Sequence, residues 1–552
     1  GRQRTFELRP GSPSWGAYQH YGNPNDRVLA YQEPPPRDRR PPPAPGAAPP
    51  PPNPEDGPMS PGPQPPAAAP APAAAPAPAA DLVYVNGIDF DTGQYAVPPR
   101  SIDDIAQHVF KRPGLDQFSD VRDGTRAFGI PFGVALDTPA QAGWGIVFHE
   151  DTPADVRAAM QPLIDHRRKQ VDKLLKELDY KKDEQTRDWY KRHQVTPGAI
   201  DPELVPYYLL MIGGPELIPF EFQYLLGVDY AVGRLAFDTA AEYTTYVRSI
   251  IGYETAGTVQ NAKEVVYWGT RHNDDEATNL SASLLIDPLA NGLPGAAGQL
   301  ARPIHNEVGY QRKLFAGPDA TKANLLGALH QEKPPAMLFT ASHGMQLRSG
   351  QSGQAATQGA LLCQDWPPFR GIQPAHILAA SDVTDDAKVG GMVALIFACF
   401  GAGTPDIDNY MIDLSGTGKA DPLAPKPFMS ALPRRLLTHP KGSALAVIGH
   451  IDRAMGYSIQ APKAPGPQIL AFRNSLGFIM QGDPVGFAMC GQFGSRYSAL
   501  STLLTNATSP ITPPAMRMKD RDLVTAWIER NDAQNYVLLG DPAVQIRADK
   551  LA

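Results

Sequence analysis

Three cysteines in 552 residues are too few for a disulfide framework, and the spacing of Cys363, Cys399 and Cys490 does not suggest a zinc site. A basic excess is missing too. The formal net charge is −7, and no Lys/Arg stripe interleaves with aromatic residues, which argues against a nucleic-acid partner. No apolar run approaches the roughly 18 residues that a membrane span needs. The first residues, Gly1-Arg-Gln-Arg-Thr-Phe-Glu7, carry no apolar signal core, so the expected location is the cytoplasm. The chain does not start with Met, which leaves N-terminal processing open. Gly213-Gly214 follows an apolar run, but neither the dinucleotide fingerprint nor a Walker-type lysine accompanies it. A nucleotide-binding regulator is therefore set aside.

Proline is abundant, with 59 residues, and its distribution is uneven. Residues 1–33 are polar and punctuated by glycine and proline, and residues 34–80 are almost wholly proline, alanine and glycine. Such a segment cannot bury a core and should form a disordered, polyproline-rich arm. A spacer is the simplest role for it; a docking ligand for a proline-binding module is the alternative.

Order is expected to begin near Leu82, with a turn at Asn86-Gly87 and a short helix capped by Ser101. A strand at Gly145–His149 is followed by a long helix from Thr152-Pro153 through Val171 and Leu178. The charged stretch Lys169–Lys191 reads as a solvated helix face. Apolar strand-like runs recur at Tyr207–Ile212, Lys263–Gly269, Met337–Ala341, Val393–Phe397 and Gly442–His450, with helical patterns between them. The chain then closes with a strand, a turn and a second strand over Tyr536–Ile546. Strands alternating with helices predict an α/β sandwich around mostly parallel sheets.

Two of these runs end on reactive side chains. Met337-Leu-Phe-Thr-Ala-Ser-His343-Gly344 delivers an imidazole, and Val393-Ala-Leu-Ile-Phe-Ala-Cys399-Phe-Gly401 delivers a thiol. In open α/β sheets, chemistry collects outside the carboxyl ends of such strands. A free thiol titrates near about 8.5, so a neighbouring histidine is needed to take its proton and later to protonate a leaving amine. The backbone N–H groups of Gly344 and Cys399 are candidates for holding a developing oxyanion. His149 is read as structural.

A series of landmarks in order carries a family resemblance. They are Tyr207–Pro219, Asp229-Tyr230, Gly233-Arg234, Tyr253-Glu254, Ser342-His343-Gly344, Ala398-Cys399, Lys441–Ile448 and Leu539-Gly540-Asp541-Pro542. Over residues 205–547 the chain resembles the gingipain family of clan-CD cysteine peptidases, whose fold is shared with caspases, and the related bacterial CHAT proteins. The resemblance implies a caspase-like αβα sandwich in two tandem subdomains, with His343 and Cys399 as a catalytic dyad. It further implies an endopeptidase that cleaves a protein substrate through a thioester acyl-enzyme. The expected organisation is an arm over 1–80, an accessory segment over 81–144, a first, non-catalytic α/β subdomain over 145–258 and a catalytic subdomain over 259–549. Ser342 departs from the family's Gly-His-Gly, and no secretion signal or immunoglobulin-like tail is present.

Specificity is the open part. In arginine-specific relatives an acid lines the S1 pocket, and the candidates here are Asp274, Asp275, Asp406 and Asp408, with His450 beside them. An acid in the pocket would favour Arg or Lys at P1, because a desolvated charge must be paired. No metal or cofactor is required by the chemistry, and the acidic loop 404–413 could host a structural Ca²⁺. The rival is a non-catalytic scaffold of the same fold, which binds partners through the arm and the sandwich surface.

Overall fold

The computed structural model describes residues 82–110 and 131–551, apart from a few residues and short stretches, chiefly within 409–421, 457–465 and 510–516. The expected arm, 1–80, lies outside the described residues, as does part of the acidic loop 404–413.

Ten strands form one sheet. In chain order they are β1 (Trp144–His149), β2 (Leu175–Tyr180), β3 (Tyr208–Ile212), β4 (Ala231–Leu235), β5 (Ala262–Gly269), β6 (Gln311–Ala316), β7 (Pro335–Ala341), β8 (Val393–Phe397), β9 (Ala446–His450) and β10 (Tyr536–Gly540). Across the sheet the order is β2-β1-β3-β4-β10-β9-β8-β7-β5-β6, and every pairing is parallel except β9 with β10. The fold is an α/β sandwich around a large, mostly parallel sheet. The strands expected in two subdomains share this sheet, joined where β10 inserts between β4 and β9. The close approach there depends on Gly233: a Cβ on it would fall 2.1 Å from the Gly540 carbonyl oxygen.

The central strands β3, β7, β8, β9 and β10 are buried at every residue, which is why they read as unbroken apolar runs rather than alternating ones. Each still sends successive side chains to opposite faces. In β1, Trp144, Ile146 and Phe148 join the large core cluster, while Val147 joins a second cluster with Trp189, Leu209 and Met211. Helices cover the faces. They include α1 (Ile102–Phe110), α2 (Ala154–Val171), α3 (Ala240–Thr255), α4 (Leu470–Gln481) and α5 (Asp520–Asn535). A Thr239/Glu242 capping box opens α3. The Ser101 hydroxyl accepts from Asp104 N at 3.1 Å, as expected for the cap of α1.

Two expectations need correcting. The helix after Pro153 stops at Val171, where Asp172 turns to φ 48°, and Leu178 lies on the edge strand β2. Leu175 and Leu178 of β2 are three residues apart, a spacing that also fits a helix, but as strand residues they bury on opposite faces, Leu175 in the large core cluster and Leu178 with Tyr180 in the second. At the C-terminus β10 is a strand, but Ala543–Ile546 is irregular. There the chain turns back after Asp541 and pairs through Ala543 N to Asp541 Oδ1.

Three of the landmarks are structural. Asp541 Oδ2 accepts from Arg167 Nε at 2.8 Å and Asp541 Oδ1 from Trp144 Nε1 at 2.9 Å, while Arg167 Nη2 reaches Glu254 at 2.6 Å. Arg167 thus ties the Gly-Asp-Pro turn to the Tyr-Glu end of α3. Arg234 is fully buried on β4 and donates to Gln223 Oε1 and the Gly213 carbonyl.

Candidate active site

β7 and β8 are parallel neighbours, and Ala341 and Phe397 are register partners at their ends. His343 and Cys399 each lie two residues beyond that pair, so both emerge at the same carboxyl edge. Ser342 N donates to the Phe397 carbonyl at 3.1 Å and fastens the two exits together. Gly344 then runs against the backbone of Cys399, so closely that a Cβ would fall 1.8 Å from the Cys399 carbonyl oxygen. Only glycine fits there. Two more strands feed the same edge: β5 leads to His272 and Asp275, and β9 to His450, Asp452 and Arg453.

His343 is 1 % exposed. Its Nε2 donates to Asp275 Oδ2 at 2.8 Å. Asp275, also 1 % exposed, accepts further hydrogen bonds from the Tyr95 and Thr278 hydroxyls. Burial alone would raise its pKa, but His343 and these two hydroxyls overcome burial and hold the carboxyl well below the usual range. Asp275 therefore stays ionised and fixes the ring so that Nδ1 keeps its lone pair, the form a general base needs. Nδ1 receives the Gly87 N–H at 3.3 Å. His272 lies beside the pair and donates through Nε2 to the Cys363 carbonyl at 3.2 Å, and burial pushes its pKa down to about 4.

Cys399 is wholly buried and its thiol points to the Ala454 carbonyl at 3.9 Å. Burial pushes its pKa up to about 12, with the nearby Asp452 adding to the rise and Arg453 opposing it. The resting group is a thiol. Arg453 is itself buried; it pairs with Asp408 and donates to Gln346 Oε1 at 3.2 Å. Burial, and then the neighbouring Asp408, push the Asp452 carboxyl up to about 7.

The residues proposed for specificity separate. Asp274 is exposed in a turn at φ 62°. Asp275 is committed to His343, behind the ring, and is not offered to a substrate cation. Asp406 is exposed and lines a cavity of about 400 Å³ with Phe220, Tyr224 and Ile407. Asp408 is buried and paired with Arg453. His450 is buried at the end of β9, with Nε2 3.2 Å from an Asp532 carboxylate oxygen of α5, and is turned away from any substrate pocket toward that helix. His149 accepts from Asp151 N and remains structural. Among the described residues, no group of three or more His, Cys, Asp or Glu side chains could hold a metal ion. The loop considered for calcium lies partly outside them.

Sequence reasoning missed Tyr95, Arg453 and the approach of Gly87 to the imidazole. Asn86-Gly87 read as a simple turn, and nothing local announces that a segment some 250 residues upstream of His343 closes over it.

No protein-family model matches the chain. No curated protein matches it either. Among solved structures it is similar to one described as "Structure of Protease", at 12% identity and a TM-score of 0.43, over 73% of this chain and 78% of that one. At that distance the likeness assigns no chemistry, and the side chains must carry the argument.

Proposed function

We propose that this chain is a cysteine endopeptidase of the caspase and gingipain type, acting on protein substrates. The observation that carries the reading is an imidazole and a thiol delivered by adjacent parallel strands to one edge, with a buried carboxylate on the far nitrogen of the ring. In the reaction His343 Nδ1 takes the proton of Cys399 as Sγ attacks the scissile carbonyl. The N–H groups of Gly344 and Cys399 hold the oxyanion, an arrangement in which each donor typically contributes about 2.7–4 kcal/mol. The imidazolium then gives its proton to the leaving amine, and water hydrolyses the thioester after His343 takes a second proton. Asp275 fixes the tautomer of the neutral ring and steadies the imidazolium once it forms.

The Arg453–Asp408 pair bears on P1. A basic P1 side chain would have to displace Arg453 from Asp408, whereas an acidic one could share Arg453. This favours an acidic or neutral P1 over the basic P1 that the resemblance implies. A second reading, a non-catalytic scaffold, draws on the burial and raised pKa of Cys399.

Acyloxymethyl ketone probes with Asp or Arg at P1 test both points on wild type, Cys399→Ala and His343→Ala. Labelling that needs both residues, with Asp preferred, is the expected result. Labelling of Cys399 that is indifferent to His343→Ala would leave the scaffold.

A further inference from the structure

Between the thiol and the imidazole lies a piece of the chain's own backbone. Gly87 N is 3.3 Å from His343 Nδ1, and a Cβ on Gly87 would sit 3.7 Å from Cys399 Sγ and 3.6 Å from Gln346 Oε1. The lone pair that should receive the thiol proton is thus engaged by a main-chain donor. Cys399 has no exposed surface, so a carbonyl carbon cannot reach it in this form.

The segment is seated as an extended peptide. Ile88–Asp89 pairs in parallel with Met345–Gln346, immediately past His343, and Phe90 N donates to the Gln346 carbonyl at 3.2 Å. Main-chain pairing of this kind accepts many sequences, while side-chain pockets alternate along it to set specificity. One such pocket is filled: Ile88 is fully buried among Met345, Leu347, Leu362, Trp366 and Ile372. The strand then folds back through Asp89 N to the Gln94 carbonyl and Ala96 N to the Gly87 carbonyl, which brings the Tyr95 hydroxyl onto Asp275. Its flanks are anchored elsewhere, with Val83 and α1 packed against Val524 and Trp527 of α5.

Resting on the peptidase reading, we propose that Gly87–Asp89 occupies the cleft that a protein substrate enters. The enzyme is latent while this strand is in place. A substrate replaces it as an extended strand on Met345–Gln346, with an aliphatic side chain in the pocket now filled by Ile88.

The test is the rate at which iodoacetamide alkylates Cys399 in the full chain, read by peptide mass spectrometry, with buried Cys363 as the internal measure of folding. A strand that opens to a minor population of about 0.1–10% slows the reaction by the same fraction, so Ile88→Asp should react at least about tenfold faster than wild type. A lock gives the opposite sign and does not depend on Ile88→Asp folding. Asp89 and Gln346 are register partners, and in Asp89→Cys/Gln346→Cys the oxidised form should react at least about tenfold slower than the reduced, desalted form. In Ile88→Asp, a synthetic peptide of Gly87–Tyr95 should restore protection, and the same peptide with Asp in place of its isoleucine should not. Equal rates for the oxidised and reduced lock overturn the proposal, and so does a peptide effect indifferent to that isoleucine. Failure of the peptidase reading looks different. It would show as fast alkylation in Ile88→Asp that His343→Ala leaves unchanged, with the strand's effect intact.

Discussion

The carboxylate of Asp275 stands 2.8 Å from Nε2 of His343, on the ring nitrogen opposite the one that meets Gly87. It arrives from the loop after β5, two strands along the sheet edge from the thiol. A residue considered for substrate selection is thereby committed to the imidazole.

Asp275→Asn tests that relationship. The amide can present its NH₂ to Nε2 and so stabilise the other tautomer, with the proton on Nδ1. We expect kcat/KM to fall about 10²–10⁴-fold, mostly in kcat, as when an orienting acid is lost elsewhere. A full-length peptide substrate, assayed after the latent strand is opened, would measure it. A fall confined to KM would mean that Asp275 contacts substrate instead.

Gly344→Ala should disrupt the site without touching either reactive group. Its Cβ would lie 1.8 Å from the Cys399 carbonyl oxygen. The β7 and β8 exits would have to part. Such overpacking costs roughly 1–3 kcal/mol of stability, and the backbone N–H of residue 344 would leave the oxyanion position. Denaturant unfolding and single-turnover rates should both change; a shifted midpoint with an unchanged rate would place the oxyanion elsewhere.

The pairing of Asp408 with Arg453 predicts a selectivity change. Asp408→Asn removes the competitor for the guanidinium and should raise labelling by the P1 Asp probe relative to the P1 Arg probe. Arg453→Met should reverse the order. Removing one partner of a buried ion pair typically costs about 3–5 kcal/mol, so unfolding midpoints must accompany the labelling ratios. Unchanged ratios in folded variants would exclude this pair from the P1 pocket.

Part of the acid sensitivity should trace to a network far from the dyad, beside the contribution of Asp275. Burial alone would raise the Glu254 carboxyl, but Arg167 and His166 hold it down at about 2. A depressed folded pKa gives stability that is present above the unfolded value of about 4.3 and is lost as pH falls through the folded one. Wild type should therefore lose stability between about pH 5 and 2, and Glu254→Gln should flatten that part of the curve while lowering the plateau at neutral pH. Urea midpoints against pH would reveal it. Parallel curves for the two proteins would remove Glu254 from the acid response.

The apolar runs ending at His343 and Cys399 were legible because strands buried on both faces need continuous hydrophobic sequence, and because a strand's carboxyl end is a fixed place in a parallel sheet. The glycine after His343 was legible for a related reason, since close backbone contact excludes any side chain. β2 was not legible: its leucines, Leu175 and Leu178, are spaced three apart as on a helix, in an edge strand rich in charged residues where local composition favours a helix. The insertion of β10 between β4 and β9 was not legible either, since it joins residues some 300 positions apart through main-chain bonds that leave little side-chain signature.

By itself the sequence determined the α/β alternation, the strand ends and the two reactive side chains, because hydrophobic periodicity and residue chemistry are local properties. Only the tertiary structure decided what those side chains meet. It turned Asp275 toward the imidazole, set Arg453 against Asp408 and laid Gly87 across the dyad. Each depends on loops from distant strands converging at one buried edge, where desolvation favours the pairing of charges and of backbone N–H groups.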